Sequence, residues 1–194
     1  MPVIVELDKK LAGVDLSNLV VSLIDERFGP VGHENSNWAQ LKSLGFKFPS
    51  AKLEPILKGL DFKTTVENYD KFLTKTYAEV DYKIGFTGIG PDSHIAGIKP
   101  RSPAIEADAM AFGYDWDDYK GRITMTFKAI TMLDCAITYL AGESKRQAIE
   151  NLQKDMSLED CPSQILKSVK QAIIFNDIYD SPSSSSAQSP KPKP

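Results

Sequence analysis

The stretch Leu19–Ile24, read LVVSLI, limits what this chain can fold into more than any other feature. It is a short apolar run rich in branched residues, and such a run is buried on both faces. That suits a strand of a parallel sheet covered by helices. Asp25-Glu26-Arg27 follows directly, which puts a polar cluster at the strand's carboxyl end. The turn Gly29-Pro30-Val31-Gly32 comes next, and Ser36-Asn37 offers a cap for a helix to about Leu44.

The same alternation continues. Thr64-Thr65-Val66-Glu67 has the form of a capping box, with Val66, Tyr69, Leu73, Tyr77 and Val80 at helical spacing behind it. A helix to about Glu79 is expected. Strands are expected at Tyr82–Thr87, Ala109–Tyr114, Arg122–Phe127, Ala136–Leu140 and Ala172–Phe175, with a helix at Glu143–Lys154. In Arg122–Phe127 the alternation of Ile, Met and Phe with Thr predicts two distinct faces. Strands separated by helices indicate an α/β fold with a mainly parallel sheet. The 194 residues suit one domain over 1–180, because Ser181–Pro194 (SPSSSSAQSPKPKP) has the composition of a disordered tail.

Composition narrows the function classes. The apolar share of 42% supports a real core, and no apolar run is long enough for a membrane helix. Met1–Lys10 is charged too early to be a signal peptide, so a cytoplasmic protein is expected. A net charge of −3 and a pI near 5.5 argue against a nucleic-acid binder. Cys135 and Cys161 form no metal or redox spacing and are expected to be idle, reduced thiols.

In α/β folds, sites form at the carboxyl ends of strands. Two polar clusters follow expected strands here: Asp25-Glu26-Arg27 and the loop Gly88-Ile89-Gly90-Pro91-Asp92-Ser93-His94. Gly88 and Gly90 allow a tight turn and a close approach to a ligand. Position 93 is Ser, so the loop is not a GxGxxG dinucleotide fingerprint. His94 either exchanges protons near neutrality or caps a following helix. Asp92 either orients His94 or makes a turn. Arg27 and Arg122, each at an expected strand end, either bind phosphate or form surface salt bridges. His33 lies in a glycine-rich turn and is expected at the surface.

Taken in order, these segments resemble the 6-phosphogluconolactonase and glucosamine-6-phosphate deaminase superfamily. The Gly88–Ala96 loop resembles its GxGxDGHxAS motif, and Asp25-Glu26-Arg27 with Ser36-Asn37 resembles the lactonase DER…SN signature. Arg122–Thr126 is similar to the RvTlT strand, and Ala141–Lys145 to the tGaeK turn. The resemblance spans roughly Leu19–Asp177. It implies a Rossmann-like three-layer αβα fold and hydrolysis of a phosphorylated sugar lactone in the pentose phosphate pathway, without metal or organic cofactor. It implies that His94 activates water, with Asp92 orienting it. Asp25, Arg27, Gly88, Gly90 and Arg122 would bind the substrate, the two arginines on its phosphate. The alternatives are a sugar-phosphate isomerase or deaminase, or a truncated, non-catalytic sugar-phosphate binder.

Three departures from the family pattern carry expectations. Ser93 stands where a glycine is usual, so its backbone is expected to avoid the glycine-type conformation. Gly97-Ile98-Lys99-Pro100 matches neither SLFP of lactonases nor FNEP of deaminases, and Lys99 aligns with the deaminases' catalytic glutamate. The family's glycine-rich SGGSTP-type loop, usually tens of residues ahead of DER, has no counterpart among the 24 residues before Asp25. The fold is therefore expected to be shortened at its N-terminus. Either Pro2–Leu11 covers the gap, with VIVEL at Val3–Leu7 as an edge strand, or the chain self-associates through an exposed sheet edge.

Overall fold

The computed structural model describes residues 2–179; the tail at 181–194 lies outside the described residues. Val3–Leu7 is not a strand. It belongs to helix α1 (Pro2–Lys10). The alternation of Val3, Val5 and Leu7 competes with the spacing of Ile4, Leu7 and Leu11, which is helical, and a proline at the first position suits a helix start. Tertiary packing decides the contest. Val5 is buried with Leu41, Phe46 and Phe48, and Ile4, Leu7 and Leu11 pack against them. The Asp8 carboxylate accepts the backbone N–H groups of Lys47 (2.5 Å) and Phe48 (2.9 Å). The N-terminal segment thus covers Leu41, Phe46 and Phe48 as a helix.

Under this cover β1 (Val20–Val21) pairs in parallel with β3 (Lys52–Leu53). The run Leu19–Ile24 stays in this small sheet for only two residues and then changes partner. The Ile24 carbonyl accepts the Met125 N–H (2.8 Å). The next residues form β2 (Asp25–Arg27), antiparallel to β6 (Tyr119–Met125), which also pairs with β5 (Ala111–Trp116). Asp25-Glu26-Arg27 is therefore a strand in an antiparallel sheet, not the loop after a parallel strand. The run itself does not disclose this, because the partner lies about a hundred residues further on.

The third sheet is parallel, in the order β4 (Ile84–Thr87), β7 (Cys135–Leu140), β8 (Ala172–Asn176). Three strand pairs among the described residues are parallel and two antiparallel, so the α/β architecture is mainly parallel in its pairing. β6 has the two distinct faces its alternation predicts, Ile123 and Met125 in the apolar core and Arg122 and Thr124 opposite them, but both faces are buried. Arg122 to Met125 are all buried, since a central strand is covered on both sides.

Helix α2 (Asn37–Ser43) is capped by Ser36, as its sequence predicts. Helix α3 (Phe62–Glu79) starts earlier than the Thr64 box suggests, because the Asp61 carboxylate caps it by accepting the Thr64 N–H (3.0 Å). Tyr69 and Leu73 are its buried face. The short helix α4 (Phe127–Thr131) follows β6. The helix expected at 143–154 is a 3-10 turn, Glu143–Lys145, followed by α5 (Arg146–Gln153). Cys135 and Cys161 are buried free thiols. No helix among the described residues is long and apolar enough to cross a membrane.

Candidate active site

The site begins where β4 ends. Gly90-Pro91-Asp92-Ser93 is a tight turn closed by the Ser93 N–H on the Gly90 carbonyl (2.9 Å), with proline at its favoured second position. The Gly90 N–H then bonds the His94 carbonyl (2.9 Å). Ile89, Ile95 and Ile98 are almost fully buried and anchor the loop in the core. Lys145, from the turn after β7, donates to the Ile89 carbonyl (2.7 Å). The loop is thereby held on two sides, and His94 projects from a rigid base.

Ser93 overturns its expectation. Its φ is +66°, the left-handed region that favours glycine. The side chain is buried, and its hydroxyl accepts from the Asn151 amide (3.1 Å). The Ser93 carbonyl also accepts the Ser163 N–H (3.1 Å). These bonds hold a conformation that serine alone would disfavour.

Asp92 and His94 meet directly, with Asp92 Oδ1 2.5 Å from His94 Nδ1. Burial opposes ionisation of Asp92, but His94 and Lys99 together outweigh it and hold the carboxyl down at about 2. An ionised carboxylate only accepts, so His94 Nδ1 carries the proton and Nε2 keeps its lone pair. Burial also pushes His94 below its usual value; Asp92 opposes that, while Lys99 and Arg122 reinforce it. The imidazole is consequently neutral at physiological pH. Gly90 is required here for space: a Cβ on it would lie 2.1 Å from the His94 ring and 2.5 Å from Asp92 Oδ1. At Gly88 a Cβ would meet nothing within 4 Å, so that glycine leaves the surface beside the loop open.

The antiparallel sheet supplies the other wall. Gly97 donates its N–H to Thr124 Oγ1 (2.9 Å), and a Cβ at Gly97 would touch Thr124 and Asp25. Asp25 pairs in register with Thr124, and Arg27 with Arg122. Successive residues alternate between faces, so Asp25, Arg27, Thr124 and Arg122 share the face on which the His94–Gly97 segment rests. Glu26 points the opposite way. Its buried carboxylate accepts from the Ser36 hydroxyl and from the N–H groups of Arg27, Asn37 and Trp38, which fixes α2.

Two guanidinium groups opposite each other repel, and such a pair calls for an anion. Arg122 is nearly buried and makes a two-pronged pair with the carboxylate of Asp118 (2.7 and 3.2 Å). Asp118 lies between β5 and β6 and is half exposed. Arg27 instead donates to the Asn35 carbonyl (3.2 Å) and to Asn37 Oδ1 (3.0 Å). The Asn37 amide donates in turn to the Asp25 carboxylate (3.1 Å). Burial is the main force that raises the Asp25 carboxyl to about 6; Glu26 adds to it, and Arg27 and Arg122 offset part of it.

All seven residues singled out in the sequence fall on these two walls. His33 is less exposed than expected: it is half-buried, with Nε2 2.9 Å from the Arg27 carbonyl. Sequence reasoning missed Lys99 and Asp118. The Lys99 ammonium lies 3.1 Å from Asp92, 3.2 Å from His94 Nδ1 and 3.5 Å from Asp118. Lys99 stood out in the sequence only as a departure from a motif, and Asp118 only as one acid of a turn.

The structure thus sets a histidine–aspartate pair, on a glycine loop after a parallel strand, beside an antiparallel sheet in which Arg27 and Arg122 are cross-strand partners. The chain belongs to the glucosamine-6-phosphate isomerases/6-phosphogluconolactonase family, whose sequence profile matches residues 3–175. Within it the chain falls on the 6-phosphogluconolactonase branch. The 6-phosphogluconolactonase of Borreliella burgdorferi is 27% identical over 168 residues, covering 80% of this chain and 71% of that protein. That of Thermotoga maritima is 24% identical over 157 residues, covering 79% of this chain and 69% of the relative. The crystal structure of a 6-phosphogluconolactonase from Shewanella baltica superposes with a TM-score of 0.77 at 18% identity, over 89% of this chain and 78% of the other. That likeness establishes the shared fold.

Proposed function

We propose that this chain hydrolyses 6-phosphogluconolactone to 6-phosphogluconate, with His94 as the proton-transferring group. The Asp92–His94 pair is the observation that carries the reading. Asp92 accepts the Nδ1 proton and fixes the ring, so Nε2 takes a proton from water as the water oxygen attacks the lactone carbonyl. When the tetrahedral intermediate collapses, the bond from carbonyl carbon to ring oxygen breaks. Nε2–H returns its proton to that oxygen, and the acid product ionises. No external proton donor is needed within the cycle.

Arg27 and Arg122 act at the far end of the substrate. A phosphate between them relieves the repulsion of the cross-strand pair and takes the place of Asp118 on Arg122. Holding the phosphate sets the carbonyl beside the water, which converts binding into orientation. Asp25 supports this wall through Asn37, and the open flank at Gly88 admits the sugar.

Consumption of 6-phosphogluconolactone, followed by acid release in a pH-stat, tests the reading. Turnover above the spontaneous rate, with none on glucosamine 6-phosphate, is expected. Binding of 6-phosphogluconate without lactone turnover would identify a non-catalytic sugar-phosphate binder instead.

A further inference from the structure

We propose that Lys99 is a positioning residue for the His94–Asp92 pair: its ammonium holds the Asp92 carboxylate in the one orientation that leaves His94 Nε2 free for chemistry. This rests on the proposed role of His94. Asp92 is nearly half exposed, and an exposed carboxylate beside an imidazole rotates freely unless its second oxygen is held. Here both oxygens are engaged. Oδ1 faces His94 Nδ1 (2.5 Å) and Oδ2 receives the Lys99 ammonium (3.1 Å).

Lys99 is itself well placed to do this. Its side chain is only 12% exposed, and its backbone N–H contacts the Tyr114 hydroxyl (3.4 Å), which donates to the Gly97 carbonyl (2.5 Å). Asp118 holds the ammonium from the other side (3.5 Å), which links the pair to Arg122. The ammonium also lies 3.2 Å from Nδ1. It cannot accept a proton there, so it excludes the arrangement in which Nδ1–H turns away from Asp92 toward Lys99. The charged groups around the imidazole are Asp92, Lys99 and Arg122, with Asp118 behind the two cations. Removing Lys99 takes one repelling cation away from protonated His94 and leaves the negative charge of Asp92, no longer shared, to the ring alone. Both changes favour the protonated, inactive ring.

The test is a proton NMR titration of the imidazole signals in wild type, Lys99→Met and Lys99→Arg. The chain has two histidines, so His33→Gln assigns them. In Lys99→Met the His94 midpoint should rise by about one pH unit, and the acid limb of kcat/KM should move with it. Lys99→Arg should restore both. A His94 midpoint unchanged in folded Lys99→Met overturns the proposal, whatever the turnover. Absence of lactone turnover in the wild type overturns the functional reading instead, and the titration still reports whether Lys99 governs His94.

Discussion

A methyl group at position 90 would collide with the reacting ring. The Cβ of Gly90→Ala would lie 2.1 Å from both Cε1 and Nδ1 of His94, where carbon contacts settle at about 3.5–4.0 Å. The ring must therefore retreat by about 1.5 Å, and a displacement near 1 Å already costs about 100-fold in rate. The same Cβ would lie 2.5 Å from Asp92 Oδ1, so the partner cannot follow the ring. We expect kcat to fall at least about 100-fold, close to 3 kcal/mol of barrier. The fold should survive, because the imidazole is a quarter exposed and can swing outward. The loss of one hydrogen bond, about 1 kcal/mol, predicts a drop in melting temperature of about 2–4 °C. Gly88→Ala is the control: its methyl meets no protein atom, so kcat should hold and any loss should fall on KM. Initial rates from the pH-stat, read beside thermal melts, check both variants. A Gly90→Ala enzyme with wild-type kcat would refute the placement of His94 at the reaction centre.

Three further outcomes follow from the same geometry. Arg27→Ala and Arg122→Ala should each weaken 6-phosphogluconate binding by about 1.5–3 kcal/mol in calorimetry, whereas Asp118→Asn, which frees Arg122, should tighten it; unchanged affinity in both arginine variants would leave them as structural residues. The carboxyl of Asp25 titrates at about 6 in the fold against 3.8 normally, so the stability it contributes when protonated is complete below about pH 4 and is lost as pH rises through 6. Asp25→Asn should remove that loss and gain up to about 3 kcal/mol at pH 7.5 in urea unfolding, and parallel pH profiles for the two proteins would contradict it. Ser93→Ala keeps the left-handed backbone and loses the Asn151 bond, so it should destabilise by about 1–2 kcal/mol; Ser93→Gly loses the same bond but relieves the backbone, so its urea midpoint should lie closer to wild type.

What the sequence discloses depends on how local the cause is. The strand 84–87 and the loop to His94 are legible because apolar run, glycines and turn proline are contiguous. Ser36 is legible as a cap for the same reason. The fate of Val3–Leu7 is not, since two periodicities overlap there and burial against Leu41, Phe46 and Phe48 chooses between them. Asp25 and Arg27 are visible as polar residues, but their common face with Arg122 follows from an antiparallel register that spans the chain. Glu26, in the same cluster, serves α2 instead, and only strand alternation separates it from its neighbours. Lys99 and Asp118 become functional candidates only when the loop and the β5–β6 turn are brought within hydrogen-bonding reach.

The central claim is that His94 Nε2 moves the proton in lactone opening. Its most direct test is the rate of 6-phosphogluconolactone loss with wild type and with His94→Ala at equal concentration, each corrected for spontaneous hydrolysis and each shown to bind 6-phosphogluconate. The account predicts turnover by the wild type and a rate indistinguishable from the uncatalysed one for a folded, ligand-binding His94→Ala. A variant that binds and turns over like the wild type would contradict it.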